Sequence, residues 1–371
     1  MLRRLDWPLL ATSAALMLLG VLFIDSASFD AATGESRAFA AQQLRGIGLA
    51  ALVGAVVVAV PYLRIARFAP LLYLLALFAL AATLYLGETR NYARRWIRLG
   101  PVVVQPSEFM KPLVVLLLAW SLRHRPDLRN FRGLLFPLGL VAAPALLIAA
   151  EPDLGTAILI FPGALAVLYA AGVRRKPIAL LVVLALAGGA LLVAYGLKPY
   201  QRERLVTFVA PSSADRDGAA YQIEMSKAMI GSGGLTGEGI CRGPLNTLGF
   251  MPERHSDFIV SVIGEEWGFM GCALLLGLFA LFTGLGLSVA LRVREPCGKL
   301  IAVGVTAALS CQALVNVAMA VGLLPNKGVP LPFVSHGRSS LLSSVIALAL
   351  VLNVALRQVP VIAADDFDDR R

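Results

Sequence analysis

Charge is scarce in this chain: only 15% of its 371 residues are Asp, Glu, Lys or Arg. A soluble domain carries about a quarter, and a mean hydropathy of +0.77 agrees in excluding a water-soluble globular fold. Histidine is nearly absent, and His255 and His336, the two that fall near carboxylates, show no ligand spacing, so a histidine metal centre is not indicated. Four cysteines (Cys241, Cys272, Cys297, Cys311) lie in separate segments without CxxC spacing, which removes a metal knuckle and a disulfide framework. No small-residue cleavage site follows the first apolar run convincingly, so that run is expected to be a span and not a leader. Short alternating segments are missing as well, which excludes a β-barrel. Long polar stretches are confined to one, between about residues 197 and 266, so residues 1–371 read as a single integral membrane domain with one large loop.

What the chain has in abundance is apolar sequence, 58% of it, in runs long enough to cross a bilayer. Ten spans are expected, at 8–25, 44–62, 68–86, 106–122, 133–150, 155–172, 177–196, 267–291, 300–323 and 339–357. The fold class is therefore an all-α polytopic membrane protein with both termini on one side. Every loop on the terminal side is basic (Arg64 and Arg67, Arg174 to Lys176, Arg292 to Lys299), so both ends are cytoplasmic by the positive-inside rule. The net charge of +10 is explained by these loops and needs no nucleic-acid partner. The acidic run 365–369 reads as a solvated tail.

That orientation exposes charge in places that lipid and topology disfavour. The outer loop GETRNYARRWIRLG holds Arg90, Arg94, Arg95 and Arg98 against the topogenic bias. Guanidinium forks suit phosphate and pyrophosphate, while contact with lipid headgroups beside Trp96 explains them equally well. In QPSEFMKP, Glu108 and Lys111 are three apart and share a helix face, as a buried pair or as part of a cavity lining. Asp153 in EPDLGT can cap the next helix, serve a site, or both. Arg202, in the loop's opening KPYQRERLVTFVAP, belongs to a candidate interfacial helix. The glycines of IGSGGLTGEG can cradle phosphate or simply close a helix, and the pattern is not a Walker A loop. Lys327, His336 and Arg338 add cationic donors after a proline-rich outer link.

The densest charge lies in MPERHSDFIVSVIGEEWG, residues 251–268, just before an apolar run. A continuous helix from Asp257 to Leu291 would be about 52 Å long at 1.5 Å per residue, against a hydrocarbon core of about 30 Å. The segment 257–266 is expected to be a separate or exposed helical piece broken near Gly264 or Gly268, with Glu265 and Glu266 near the outer interface. Asp257 is the residue placed to do chemistry, with an N-cap as its alternative role.

Taken together, RRWIRLG, QPSEFMK, PDLGTA, PYQRERLVTFVAP, IGSGGLTGEG, PERHSDFIVSVIGEEWG and GVPLPFVSHGRSS resemble, in order, the SEDS family of bacterial cell-wall glycosyltransferases, its RodA branch more than its FtsW branch. The resemblance implies polymerisation of lipid II into glycan strands at the outer face of the bacterial cytoplasmic membrane during cell elongation. It carries the family's essential aspartate to Asp257, its cavity carboxylates and lysine to Glu108, Lys111 and Asp153, and an outer-region arginine to Arg45. It implies a class B penicillin-binding protein as partner. A divalent cation (Mg2+ or Mn2+) is compatible with the chemistry, and no organic cofactor is expected. The chain departs from the family pattern at Glu151, where Gln is usual, at Val103, and at His336 and Arg338, where Tyr and Gly are usual.

The expected chemistry is attack of a sugar hydroxyl on an anomeric carbon bearing a lipid pyrophosphate. Cations stabilise that leaving group, so the remaining need is a base. Asp257 is expected to be that base or to orient the acceptor or a cation, with Arg94, Arg95, Arg98 and Lys111 on the pyrophosphate. A lipid II flippase would show repeated halves and a midplane site. A non-catalytic scaffold of the wall-building complex would tolerate loss of Asp257.

Overall fold

The computed structural model describes residues 5–30, 35–36, 38–90, 93–100, 102–124, 131–180, 183, 219–249, 251, 253–326 and 328–358. Within them, the apolar runs fold into helices almost one for one. In chain order these are α1 (Trp7–Ala27), a two-residue β1/β2 pair (Phe29–Asp30 and Glu35–Ser36), α2 (Phe39–Ala59), α3 (Tyr62–Arg67) and α4 (Ala69–Leu86). A three-stranded antiparallel sheet follows, β3 (Glu88–Arg90), β4 (Ala93–Leu99) and β5 (Val102–Val104), and then α5 (Pro106–Leu122), α6 (Phe131–Ala150) and α7 (Leu154–Ala170). The remaining elements are α8 (Ala219–Ser232), α9 (Pro244–Thr247), α10 (Ile259–Arg292), α11 (Pro296–Ala320) and α12 (Arg338–Leu356). Among the described residues, seven helices are long and apolar enough to cross a membrane, and α7 is a shorter apolar helix. The expected span 177–196 lies almost wholly outside the described residues, as do Arg202, Lys327 and the 365–369 tail.

The bundle is built around α12. This helix is buried along most of its length, against α2, α5 and α11, whereas α2 and α4 are buried along less than a quarter of theirs and turn Leu and Phe side chains outward. Serines and Asn353 are tolerated on α12 because they find partners there: Ser343 Oγ donates to the Glu108 carbonyl at 2.7 Å. Asn353 repairs a helix break. Pro61 has no N–H to give the carbonyl of Val57, and an unpaired carbonyl in lipid costs several kcal/mol. Asn353 Nδ2 supplies it, donating to Val57 O at 2.5 Å and Val60 O at 2.6 Å, while its Oδ1 accepts from Tyr62 N at 3.1 Å.

A second break divides α10. Gly268 sits at φ 60°, ψ −153° inside the helix, which confirms the interruption that helix length demanded. Breaking the ladder there orphans two carbonyls and two N–H groups, and the glycine-rich loop after α8 takes all four. Glu238 N and Gly239 N donate to the carbonyls of Glu265 and Glu266 at 3.0 and 2.9 Å, and Phe269 N and Met270 N donate to those of Gly234 and Leu235 at 2.9 and 3.1 Å. The approach is so close that a Cβ on Gly237 would lie 2.1 Å from the Glu266 carbonyl oxygen. This loop closes a broken helix, and the N–H groups of Glu238 and Gly239 are spent on it.

Of the expected separate or exposed piece, the separation holds at Gly268 and the exposure does not, because residues 258–266 are buried. Glu265 and Glu266 are fully buried. Glu265 accepts from Leu245 N at 2.7 Å and Asn246 N at 3.0 Å, capping α9, and Glu266 accepts from Ser26 Oγ, Cys241 N and Asn246 Nδ2. They clamp the loop and α1 to α10.

Candidate active site

A cavity of about 810 Å³ opens where the β-sheet, the N-terminal ends of α5 and α12, the turn before α10 and the 321–337 link converge. Asp257, Arg95, His336 and Arg338 from the sequence reading line it, together with Gln42, Gln105 and Asn326.

Asp257 is held by its neighbours in a tight turn. Its N–H donates to Glu253 O at 3.2 Å, its carbonyl accepts from Asn316 Nδ2 at 2.9 Å, and Ser256 Oγ donates to its Oδ1 at 3.2 Å. Asn316 also donates to Val329 O at 2.6 Å, so one buried amide on α11 ties the aspartate turn to the proline-rich link. Ser335 does the same from the other side, donating to Ser256 O at 2.6 Å and accepting from Leu331 N at 2.8 Å. Gly328 keeps the space beside the carboxylate open: a Cβ there would lie 3.4 Å from Asp257 Oδ2.

The strand period sorts the arginines. Successive side chains alternate across a strand, so Arg95 lies on the opposite face of β4 from Arg94 and Arg98. Arg95 turns inward, donating through Nη2 to Pro152 O at 2.6 Å with its Nη1 3.7 Å from Asp153 Oδ1. Arg98 is exposed and engages Glu88 on the neighbouring strand, and Arg94 is also exposed. Arg45, on α2, is exposed and is not in the cavity wall.

Asp153 caps α7, accepting from Thr156 N at 3.2 Å and Thr156 Oγ1 at 2.8 Å, and also accepts from Gln105 Nε2 at 3.2 Å. It is buried behind Arg95 and Gln105, so it braces two lining residues and does not line the cavity itself. Glu108 and Lys111 form a buried pair at 3.0 Å beneath the floor. Lys111 Nζ also donates to Gln312 Oε1 at 2.7 Å, and Gln312 Nε2 donates to Pro330 O at 2.8 Å, which connects the pair to the cavity wall.

Two groups are less ionised than their residue types suggest. Burial, then the neighbouring His255 and Arg338, push the His336 pKa down to about 4, so at neutral pH it is an uncharged imidazole and not the expected cation. Burial and the adjacent Asp153 raise Glu151 to about 8 against the opposing pull of Arg95. Both Glu151 carboxylate oxygens are buried without a hydrogen-bond partner. Sequence reasoning missed Gln105, Gln312, Asn316 and Ser335. The available signal was a lone amide or hydroxyl in an otherwise apolar run, which carries no charge to draw the eye.

The pattern described as the FtsW/RodA/SpoVE cell cycle protein family matches residues 6–359. The chain belongs to this family. Peptidoglycan glycosyltransferase MrdB of Escherichia coli K12 is 36% identical over 342 residues, 91% of each chain. A probable peptidoglycan glycosyltransferase FtsW of Allochromatium vinosum is 34% identical over 367 residues, 96% of this chain and 91% of that one. Among solved structures, a chain from a peptidoglycan synthase complex coordinating polymerization and crosslinking superimposes with a TM-score of 0.80 at 32% identity, covering 95% and 97% of the two chains. The rod shape determining protein RodA of Thermus thermophilus gives a TM-score of 0.72 at 29% identity, covering 95% and 96%. The apolar helices and this membership make the chain a multi-pass inner-membrane protein.

For a FtsW/RodA/SpoVE-family site, the donor set bears on a divalent cation. Among the described residues, no group of three or more His, Cys, Asp or Glu gathers. Mg2+ is often held by one or two carboxylates together with substrate phosphates. The cavity fits that mode: Asp257 and Glu253 both line it, and either carboxylate would be able to share such an ion with a pyrophosphate.

Proposed function

We propose that this chain, a peptidoglycan glycosyltransferase by family and relatives, polymerises lipid II with Asp257 as the base of an inverting single displacement. The observation that carries the reading is the placement of Asp257 in the wall of the 810 Å³ cavity, in a turn fixed by Asn316 and Ser335, with Arg95 and Arg338 lining the same space. In the step, an acceptor sugar hydroxyl attacks the anomeric carbon. The O–H proton passes to the Asp257 carboxylate, the new C–O bond forms, and the bond to the lipid pyrophosphate breaks with its electron pair leaving on the pyrophosphate. Cationic guanidinium groups stabilise that departing charge. A divalent cation, when bound, adds Lewis-acid stabilisation of the same oxygens. The neutral His336 and the braced Arg95 shape the pocket, and Arg338, held toward Gln42 at 3.1 Å, sits at its rim.

A class B penicillin-binding protein that crosslinks the new strand is the expected partner, supported by the likeness to a chain of a synthase complex. The test is lipid II polymerisation by the purified chain with its cognate partner. Asp257→Ala and Asp257→Asn should each lower polymerisation by at least about 100-fold while binding the partner normally. Wild-type polymerisation by Asp257→Ala would sink the assignment, and transport of labelled lipid II without polymer would favour the flippase reading.

A further inference from the structure

At the opposite end of α5 from the active-site cavity lies a second cavity of about 520 Å³, lined by Arg64, Arg67, Trp120, Arg123, His124 and Glu295 among others. The 17 residues of α5 put it about 25 Å from the first at 1.5 Å per residue. It falls on the cytoplasmic side, since it is bounded by the basic loops that set the topology. We propose that this cavity is a binding site for the phosphate headgroup of an anionic phospholipid of the inner leaflet.

Three observations carry it. First, the cations converge from separate elements. Arg64 and Arg67 share the last turn of α3, a helix that exists because Pro61 breaks the chain after α2, and Arg123 ends α5. Second, among the described residues these arginines have no carboxylate partner. Glu295 is the one carboxylate among the described residues of the wall, and it is engaged by Gly298 N at 2.6 Å, capping α11, and by the Tyr62 hydroxyl at 3.1 Å. Among the described residues, no carboxylate lies within 4.0 Å of Arg64, Arg67 or Arg123. Nor are they needed to cap α2, because Arg357 already donates to Val58 O and Ala59 O at 2.9 Å each. Arg123 is instead stacked over Trp120, its guanidinium carbon 3.1 Å from the ring centroid, which fixes the plane and leaves the N–H edge for an oxyanion.

Third, the surroundings specify a lipid. Phe68, Leu71, Leu72, Leu74, Leu75 and Phe78 run away from the pocket along α4 with exposed side chains, a track for acyl chains below a seated headgroup. Basic pockets between helices on the cytoplasmic side suit anionic headgroups, whereas a soluble phosphate has no use for that track.

The test uses the full-length protein in nanodiscs of equimolar phosphatidylglycerol and phosphatidylcholine, with co-purifying lipid quantified by native mass spectrometry. Wild-type protein should retain phosphatidylglycerol in excess. The triple variant Arg64→Gln/Arg67→Gln/Arg123→Gln should lose that enrichment by at least about fivefold, the value of one basic residue near an anionic surface. A charge-matched control, Arg174→Gln/Arg175→Gln/Lys176→Gln, alters another exposed cytoplasmic cluster and should keep the enrichment. Equal loss in both triples would mean general surface charge and overturn the site, as would full retention by the pocket triple. Displacement of the lipid by millimolar inorganic phosphate would overturn the lipid assignment. Should the triple fail to fold, Arg123→Lys keeps the charge but loses the stacked fork. A partial loss of enrichment is expected, and none at all would refute the role of the guanidinium.

Discussion

The meaning of a charged residue in this protein depends on whether its partners are internal. Glu266 and Asp257 lie nine positions apart, yet the first is consumed by Ser26, Cys241 and Asn246 while the second faces a cavity. Glu266→Leu should therefore destabilise the protein by about 2–4 kcal/mol, because several donors lose their acceptor at once; thermal unfolding in detergent measures it. Asp257→Asn keeps a side chain that Ser256 can bond but removes the proposed base. It should lower polymerisation by about 10²–10⁴-fold with an unchanged melting temperature. Glu151 makes a pH prediction. Its carboxyl titrates near 8 in the folded chain, above the ordinary value of 4.5, because burial and Asp153 disfavour the charge. Folding therefore takes up protons, and the stability associated with the protonated form is complete below about 4.5 and lost as pH rises through 8. Glu151→Gln, an uncharged isostere, should melt like wild type at pH 5 and higher than wild type at pH 9.

At the scale of elements, most helices were legible because a bilayer-length apolar run leaves the backbone no option but a helix. The expected 106–122 is α5, and 68–86 and 339–357 are α4 and α12 to within a residue. The break in α10 was legible too, from length alone. The β3–β5 sheet was not: its strands are short and arginine-rich, and no long alternation announces them. Its consequence, that Arg95 enters the cavity wall while Arg94 and Arg98 stay outside, depends on a period-two geometry that a loop reading cannot supply. The partners of the broken helix were equally hidden, because the groups that satisfy Glu265, Glu266, Phe269 and Met270 lie about 25 to 35 positions upstream. Gly237→Ala tests that closure. Its Cβ would overlap the Glu266 carbonyl and its φ of 78° strains any L residue, so a loss of at least about 1–3 kcal/mol is expected, read as a lower melting temperature.

Across the whole molecule, the candidate site is assembled from both ends of the chain. α1 packs against the 329–335 link so closely that a Cβ on Gly20 would lie 2.5 Å from the Val334 carbonyl oxygen. The same link carries Pro330 into the cavity wall, and His336 follows directly after it. Gly20→Leu should push this link and impair polymerisation although residue 20 touches no lining group, and Gly48→Leu, where a Cβ meets open space, should leave activity intact. The assay is lipid II polymerisation of both variants at matched expression.

By itself the sequence determined the membrane-embedded helical class and the family, and singled out an orientation and Asp257 for test, since each rests on local composition, run length or an ordered motif. Tertiary structure alone decided which charges face the cavity and which are buried away from it. It buried Glu265 and Glu266 as clamps, set Asp153 behind Arg95, sank Glu108 and Lys111 under the floor and neutralised His336. The physical reason is that a charge in a low-dielectric interior is defined by the partners within about 4 Å of it. Those partners come from segments that the linear chain keeps far apart.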